Sequence, residues 1–75
     1  MSTAPVRSAL LIDEVASPLG RIVIAARVGR LCALEFGRAR MARHLTARFP
    51  GSRRRRLRDP FGISTRLRAY LSGDL

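Results

Sequence analysis

Ser17-Pro18-Leu19-Gly20 separates two short runs in which apolar residues alternate, with Leu10 and Ile12 before it and Ile22 and Ile24 after it. Pro18 presets φ for the second position of a turn, Gly20 suits the fourth, and the Ser17 hydroxyl can cap the bend. The four residues therefore predict a chain reversal between two strands. In the first strand Leu10 and Ile12 alternate with Leu11 and Asp13, giving one apolar face and one that turns polar towards its end. Residues 21–26 repeat the alternation, Ile22 and Ile24 against Val23 and Ala25, and their β-branched crowding favours strand over helix. Val28-Gly29 predicts a second reversal, since glycine takes positive φ at little cost. Residues 31–36 form a third strand, expected to place Cys32, Leu34 and Phe36 on one face and Leu31, Ala33 and Glu35 on the other. Three strands joined by tight turns make an antiparallel meander.

The period changes after the meander. Met41, Leu45 and Phe49 recur every fourth residue across residues 38–49, while Arg40, Arg43 and Arg48 point elsewhere, which predicts an amphipathic helix stopped by Pro50-Gly51. Five arginines surround Leu57 in residues 53–58, a composition that fits a solvated loop. Asp59-Pro60 is a turn or helix-start signal. A final helix from about Ile63 is expected to bury Ile63, Leu67, Tyr70 and Leu71 on one stripe and to close at Gly73. The whole reads as a flexible start over residues 1–7 and one small α+β domain over residues 8–75.

Seventy-five residues allow a single domain, and a chain of that size buries only about 60% of the surface it exposes when unfolded. Its single cysteine cannot form an internal disulfide, and one cysteine with one histidine cannot complete a structural zinc site. With 47% hydrophobic and 27% charged residues the composition is that of a globular domain rather than a disordered tail. Stability alone is expected to be marginal and a partner domain to be needed, with an apolar patch left uncovered. Fifteen basic residues against five acidic ones give a net charge of +10, a field that draws polyanions. All fifteen are arginine, a bias that a GC-rich coding sequence also produces. The apolar stretches 9–12 and 22–26 are too short for a signal-peptide core or a membrane span, so the expected setting is soluble and cytoplasmic.

Taken in order, Ser17-Pro18-Leu19-Gly20, the three strands, the helix and Leu67-Arg68-Ala69-Tyr70-Leu71-Ser72-Gly73 resemble the opening domain of the alkylguanine-DNA alkyltransferases, or methylated-DNA-protein-cysteine methyltransferases. The resemblance implies a ribonuclease-H-like topology, with residues 53–58 as a short edge strand. It also implies a parent DNA-repair protein that flips an alkylated guanine from the duplex and transfers the alkyl group to its own cysteine. In that family the acceptor lies in a Pro-Cys-His-Arg motif on a later domain. No such motif occurs in these 75 residues. The chain is accordingly expected to be the non-catalytic N-terminal scaffold, truncated before the catalytic domain and inactive alone. Its implied partners are the missing C-terminal catalytic domain and, through the parent, alkylated duplex DNA, with no cofactor and no membrane.

The residues themselves supply no catalytic constellation. Cys32 lies in an apolar strand without a base or cation to activate it, so it reads as a small buried hydrophobe. His44 lacks companions for catalysis or metal binding and reads as a surface or boundary residue. The ribonuclease-H-like topology that the resemblance implies raises a nuclease reading for Asp13 and Glu14 on the first strand, but two-metal cleavage needs several converging carboxylates, and Glu35, Asp59 and Asp74 fall in no recognisable spacing. No metal or cofactor site is expected. The remaining candidates are Arg53, Arg54, Arg55, Arg56 and Arg58, which could follow a phosphate backbone as charges and forked donors. They lack interleaved aromatics for stacking on bases. A free-standing basic module that binds nucleic acid or an acidic protein is the alternative class.

Overall fold

A computed structural model of the chain describes residues 9–73; the flexible start expected at residues 1–7 lies outside them. Strands β1 (Leu10–Ser17) and β2 (Gly20–Arg27) form the first hairpin, closed over Pro18 and Leu19. There the Ser17 hydroxyl accepts the Leu19 N–H at 3.2 Å and donates to the Gly20 carbonyl at 2.6 Å. Strand β3 (Arg30–Phe36) follows a two-residue turn at Val28-Gly29, with φ of 51° and 75°. Positive φ at both positions gives the turn whose twist matches that of the flanking strands. Gly29 adopts it freely, whereas a β-branched residue such as Val28 is strained there.

The sheet extends beyond the meander. Helix α1 (Arg38–Arg48) carries the chain from β3 on one edge to β4 (Arg54–Arg56) on the other, giving the order β3-β2-β1-β4. β4 runs parallel to β1, pairing Leu10 with Arg54, Leu11 with Arg55 and Ile12 with Arg56. The arginine run is thus an edge strand, and the sheet is mixed. A 3-10 turn (Pro60–Gly62) then leads into helix α2 (Ile63–Leu71).

Each face of the sheet receives one helix. On the α1 face Leu10, Val23, Ala25 and Ala33 pack with Met41 and Leu45, and Ile12, Cys32 and Phe49 border this core. On the opposite face Val15, Ile22, Ile24 and Ala26 are buried, and α2 packs against β1. β2 is therefore buried on both sides from Ile22 to Ala26. That is why its sequence is a nearly unbroken apolar run rather than an alternation.

Two expectations, the faces of β3 and the buried stripe of α2, are corrected. Ala25 pairs with Ala33 but Ala26 pairs with Leu31, so Cys32 is the extra residue of a β-bulge. The bulge turns Cys32 towards the α1 core rather than to the face of Leu34 and Phe36, and leaves it half-buried. On α2 the buried residue is Ser64, while Tyr70 is 65% and Leu71 38% exposed. The stripe turns outward in the last turn because α2 meets the sheet through its first turns, where Asp13 holds Ser64. Gly73, with φ 86°, does close the helix by donating its N–H to the Tyr70 carbonyl at 3.1 Å.

Candidate nucleic-acid interface

Strand alternation on β1 sends Asp13 and Glu14 to opposite faces, and each is held in a different way. Glu14 lies on the α1 face beyond Leu10 and Ile12, its side chain only 5% exposed. Three guanidiniums meet there. Arg38, from the first turn of α1, bonds through Nε and through Nη2 at 3.2 Å; Arg21 of β2 reaches it at 2.9 Å and Arg56 of β4 at 3.3 Å. The Arg38 hydrogen bonds above all, opposed by burial and aided by Arg21 and Arg56, hold the Glu14 carboxyl down at about 2. The same carboxylate raises Arg38 in return. A bidentate guanidinium–carboxylate bond fixes geometry as well as charge, so this cluster joins β1, β2, α1 and β4 at one point.

Three cations around one anion leave a local excess of positive charge. It sits at the rim of a cleft of about 160 Å³ between α1 and β4, with Arg38, Arg54 and Arg56 at the mouth and Ile12, Val23 and Met41 below. Arg54 is steadied by a 3.1 Å bond from Nη2 to Thr46 Oγ1.

The five arginines expected to contact DNA do not form one stripe. Arg54 and Arg56 pair with Leu10 and Ile12 and share their α1 face, whereas Arg55 pairs with Leu11 and projects to the other. Arg53 and Arg58 flank the strand, and the Arg53 carbonyl accepts the Leu10 N–H at 2.8 Å. All five are exposed. The structure thus brings Arg54 and Arg56 together with Arg38, and separates Arg55 from them.

Asp13 anchors the start of α2. Its Oδ2 accepts the Asp59 N–H at 2.9 Å and the hydroxyl of the fully buried Ser64 at 2.7 Å. Burial pushes the Asp13 carboxyl up, but these bonds and the charge of Arg68 outweigh it and leave the group below its ordinary value. Asp59 in turn accepts the Thr65 N–H at 2.9 Å and the Thr65 hydroxyl at 2.6 Å, which lowers it too. Since Thr65 N–H is one of the unpaired donors in the first turn of α2, Asp59 acts as the cap that Gly62 cannot supply. His44 is half-buried, its Nδ1 2.8 Å from Glu35 Oε2. Among the described residues no group of three histidine, cysteine or acidic side chains gathers in a way that could hold a metal ion.

The roles of Glu14 and Arg38 escape a reading built on motifs. One signal was present: in a chain of net charge +10, a carboxylate on the same face as Leu10 and Ile12 must find cations when buried. No family model, curated protein or solved structure matches this chain. Among the described residues no helix is long and apolar enough to cross a membrane.

Proposed function

We propose that this chain is a non-catalytic scaffold domain of a DNA-repair protein that removes alkyl groups from guanine by transfer to its own cysteine. The observation that carries the reading is the sheet order β3-β2-β1-β4 with β4 parallel to β1. A parallel strand set beside β1 of an antiparallel meander by a helical crossover supports the ribonuclease-H-like topology that the sequence resemblance implies. The Ser17-Pro18-Leu19-Gly20 hairpin and the Tyr70 to Gly73 helix end support it at the positions of the resemblance. The domain contributes a platform and a cationic cleft at Arg38, Arg54 and Arg56, while the chemistry belongs to a domain that carries the acceptor.

Cys32 fits no nucleophilic role here. It packs beside the α1 core, and its thiol donates to the Arg30 carbonyl with the sulfur 3.7 Å away. Incubation with a duplex containing O6-methylguanine, followed by intact-mass measurement, tests the assignment. The mass should stay unchanged with this chain alone, and a catalytic domain of the family supplied in trans should raise its melting temperature. A stoichiometric methyl adduct on Cys32, or no thermal response to the added domain, overturns the scaffold reading.

A further inference from the structure

β3 is the second edge of the sheet, and unlike β4 it is not guarded by a run of charge. It has one strand neighbour, β2, so alternate backbone N–H and C=O groups point outward, a template for pairing with another strand. On the face opposite α1 its side chains Leu31, Leu34 and Phe36 are 48%, 38% and 45% exposed, while Ile22, Ile24 and Ala26 beside them on β2 are buried. An apolar row at an unpaired edge marks an interaction surface.

We propose that β3 pairs antiparallel with β3 of a second copy of this chain, about a twofold axis perpendicular to the sheet. Such an axis keeps faces together, so only residues on the same face can stand opposite each other. The bulge at Cys32 decides the register. It places Leu31, partnered with Ala26, on the same face as Leu34, partnered with Ile24. It also places Arg30 on the face of Glu35: Arg30 pairs with Arg27, whose guanidinium lies 5.2 Å from the centre of the Phe49 ring, and Glu35 bonds His44 of α1. One register then satisfies both faces. Leu31 stands against the partner's Leu34 on the open face, and Arg30 against the partner's Glu35 on the α1 face, each contact occurring twice by symmetry. Cross-strand apolar and opposite-charge pairs of this kind stabilise a ladder. Competing registers confined to residues 33–36 are poorer. Pairing Leu34 with the partner's Phe36 sets Glu35 against the partner's Glu35, and pairing Leu34 with the partner's Leu34 leaves Arg30 without a carboxylate.

This interface is independent of the scaffold reading above, since it lies at the edge remote from the cationic cleft. Two copies of net charge +10 repel, so association should strengthen as salt screens that repulsion. Sedimentation equilibrium of the full chain, at low and at high salt, is the experiment. A reversible dimer is expected, tighter at high salt, lost in Leu34→Arg, and weakened at least tenfold in Glu35→Arg. The double charge reversal Arg30→Glu with Glu35→Arg should restore it, which a role of Glu35 confined to holding His44 would not. Circular dichroism on each variant checks that the substitution leaves the fold intact. A monomer at every salt concentration, a dimer indifferent to Leu34→Arg, or a charge-reversed chain that stays monomeric overturns the proposal.

Discussion

Single residues carry strain and charge that the composition hides. Val28 is a β-branched residue at φ 51°, 73% exposed, in a turn that favours asparagine followed by glycine. Val28→Asn removes the steric conflict without giving up a buried contact. It should stabilise the fold by about 0.5–1 kcal/mol, read as a higher urea midpoint at unchanged slope. Glu14 works in the other direction. Its carboxyl is held at about 2 in the fold against an ordinary 4.5, so its ion pairs stabilise fully above about pH 4.5 and are lost as pH falls towards 2. Glu14→Gln should therefore cost on the order of 1–2 kcal/mol at neutral pH, the discount reflecting arginines that are themselves open to solvent. The gap between the two proteins should close on acidification through that window. A constant gap across the acid range would show that Glu14 stabilises through packing rather than charge.

Elements were legible in the sequence wherever local rules agreed with packing. The hairpin at Ser17-Pro18-Leu19-Gly20, the every-fourth-residue row of Met41 and Leu45, and the glycine stop at Gly73 follow from turn chemistry and period alone. The bulge at Cys32 was not legible, because nothing in Leu31-Cys32-Ala33 distinguishes an extra residue from a regular strand position. Nor was the seat of α2. Its apolar row suggested a buried stripe including Tyr70 and Leu71, yet the helix is tied down at its start by a polar relay from Asp13 to Asp59, Ser64 and Thr65, residues separated by about fifty positions. Periodicity sees neighbours within an element and not a carboxylate arriving from another. The relay has a measurable consequence: Asp13→Ala leaves the Asp59 N–H and the buried Ser64 hydroxyl without their acceptor, which costs about 1–3 kcal/mol. Because α2 should detach first, amide exchange should accelerate in residues 63–71 more than in β2. Uniform acceleration would mean that α2 and the sheet open only as one unit.

For the molecule as a whole, what matters is where fifteen arginines stand relative to so few acids. Asp13 and Asp59 are engaged with hydroxyl and backbone donors of the α2 start, and Glu35 with His44; Glu14 alone among the described acids forms ion pairs with arginine. Positive charge is therefore left largely uncompensated at the surface, and phosphate is the counter-charge it suits. Each phosphate neutralised adds roughly −0.9 to the slope of log affinity against log salt, so engagement of about four arginines gives about −3.6 and binding that fades at a few hundred millimolar salt. Sequence preference should be absent, since no aromatic side chain lies among residues 53–58 to stack on bases. The cleft makes the prediction sharper than net charge does. Arg54→Ser with Arg56→Ser, both on the α1 face, should flatten the slope by about 1.8, while Arg55→Ser, on the other face, should flatten it far less. Glu14→Gln should steepen it, because the guanidiniums of Arg21, Arg38 and Arg56 lose their internal counter-ion. Salt titrations of these variants on two unrelated duplexes separate the cases: equal losses from Arg54, Arg55 and Arg56 would mean that DNA senses only total charge, and a strong difference between duplexes would mean that bases are read.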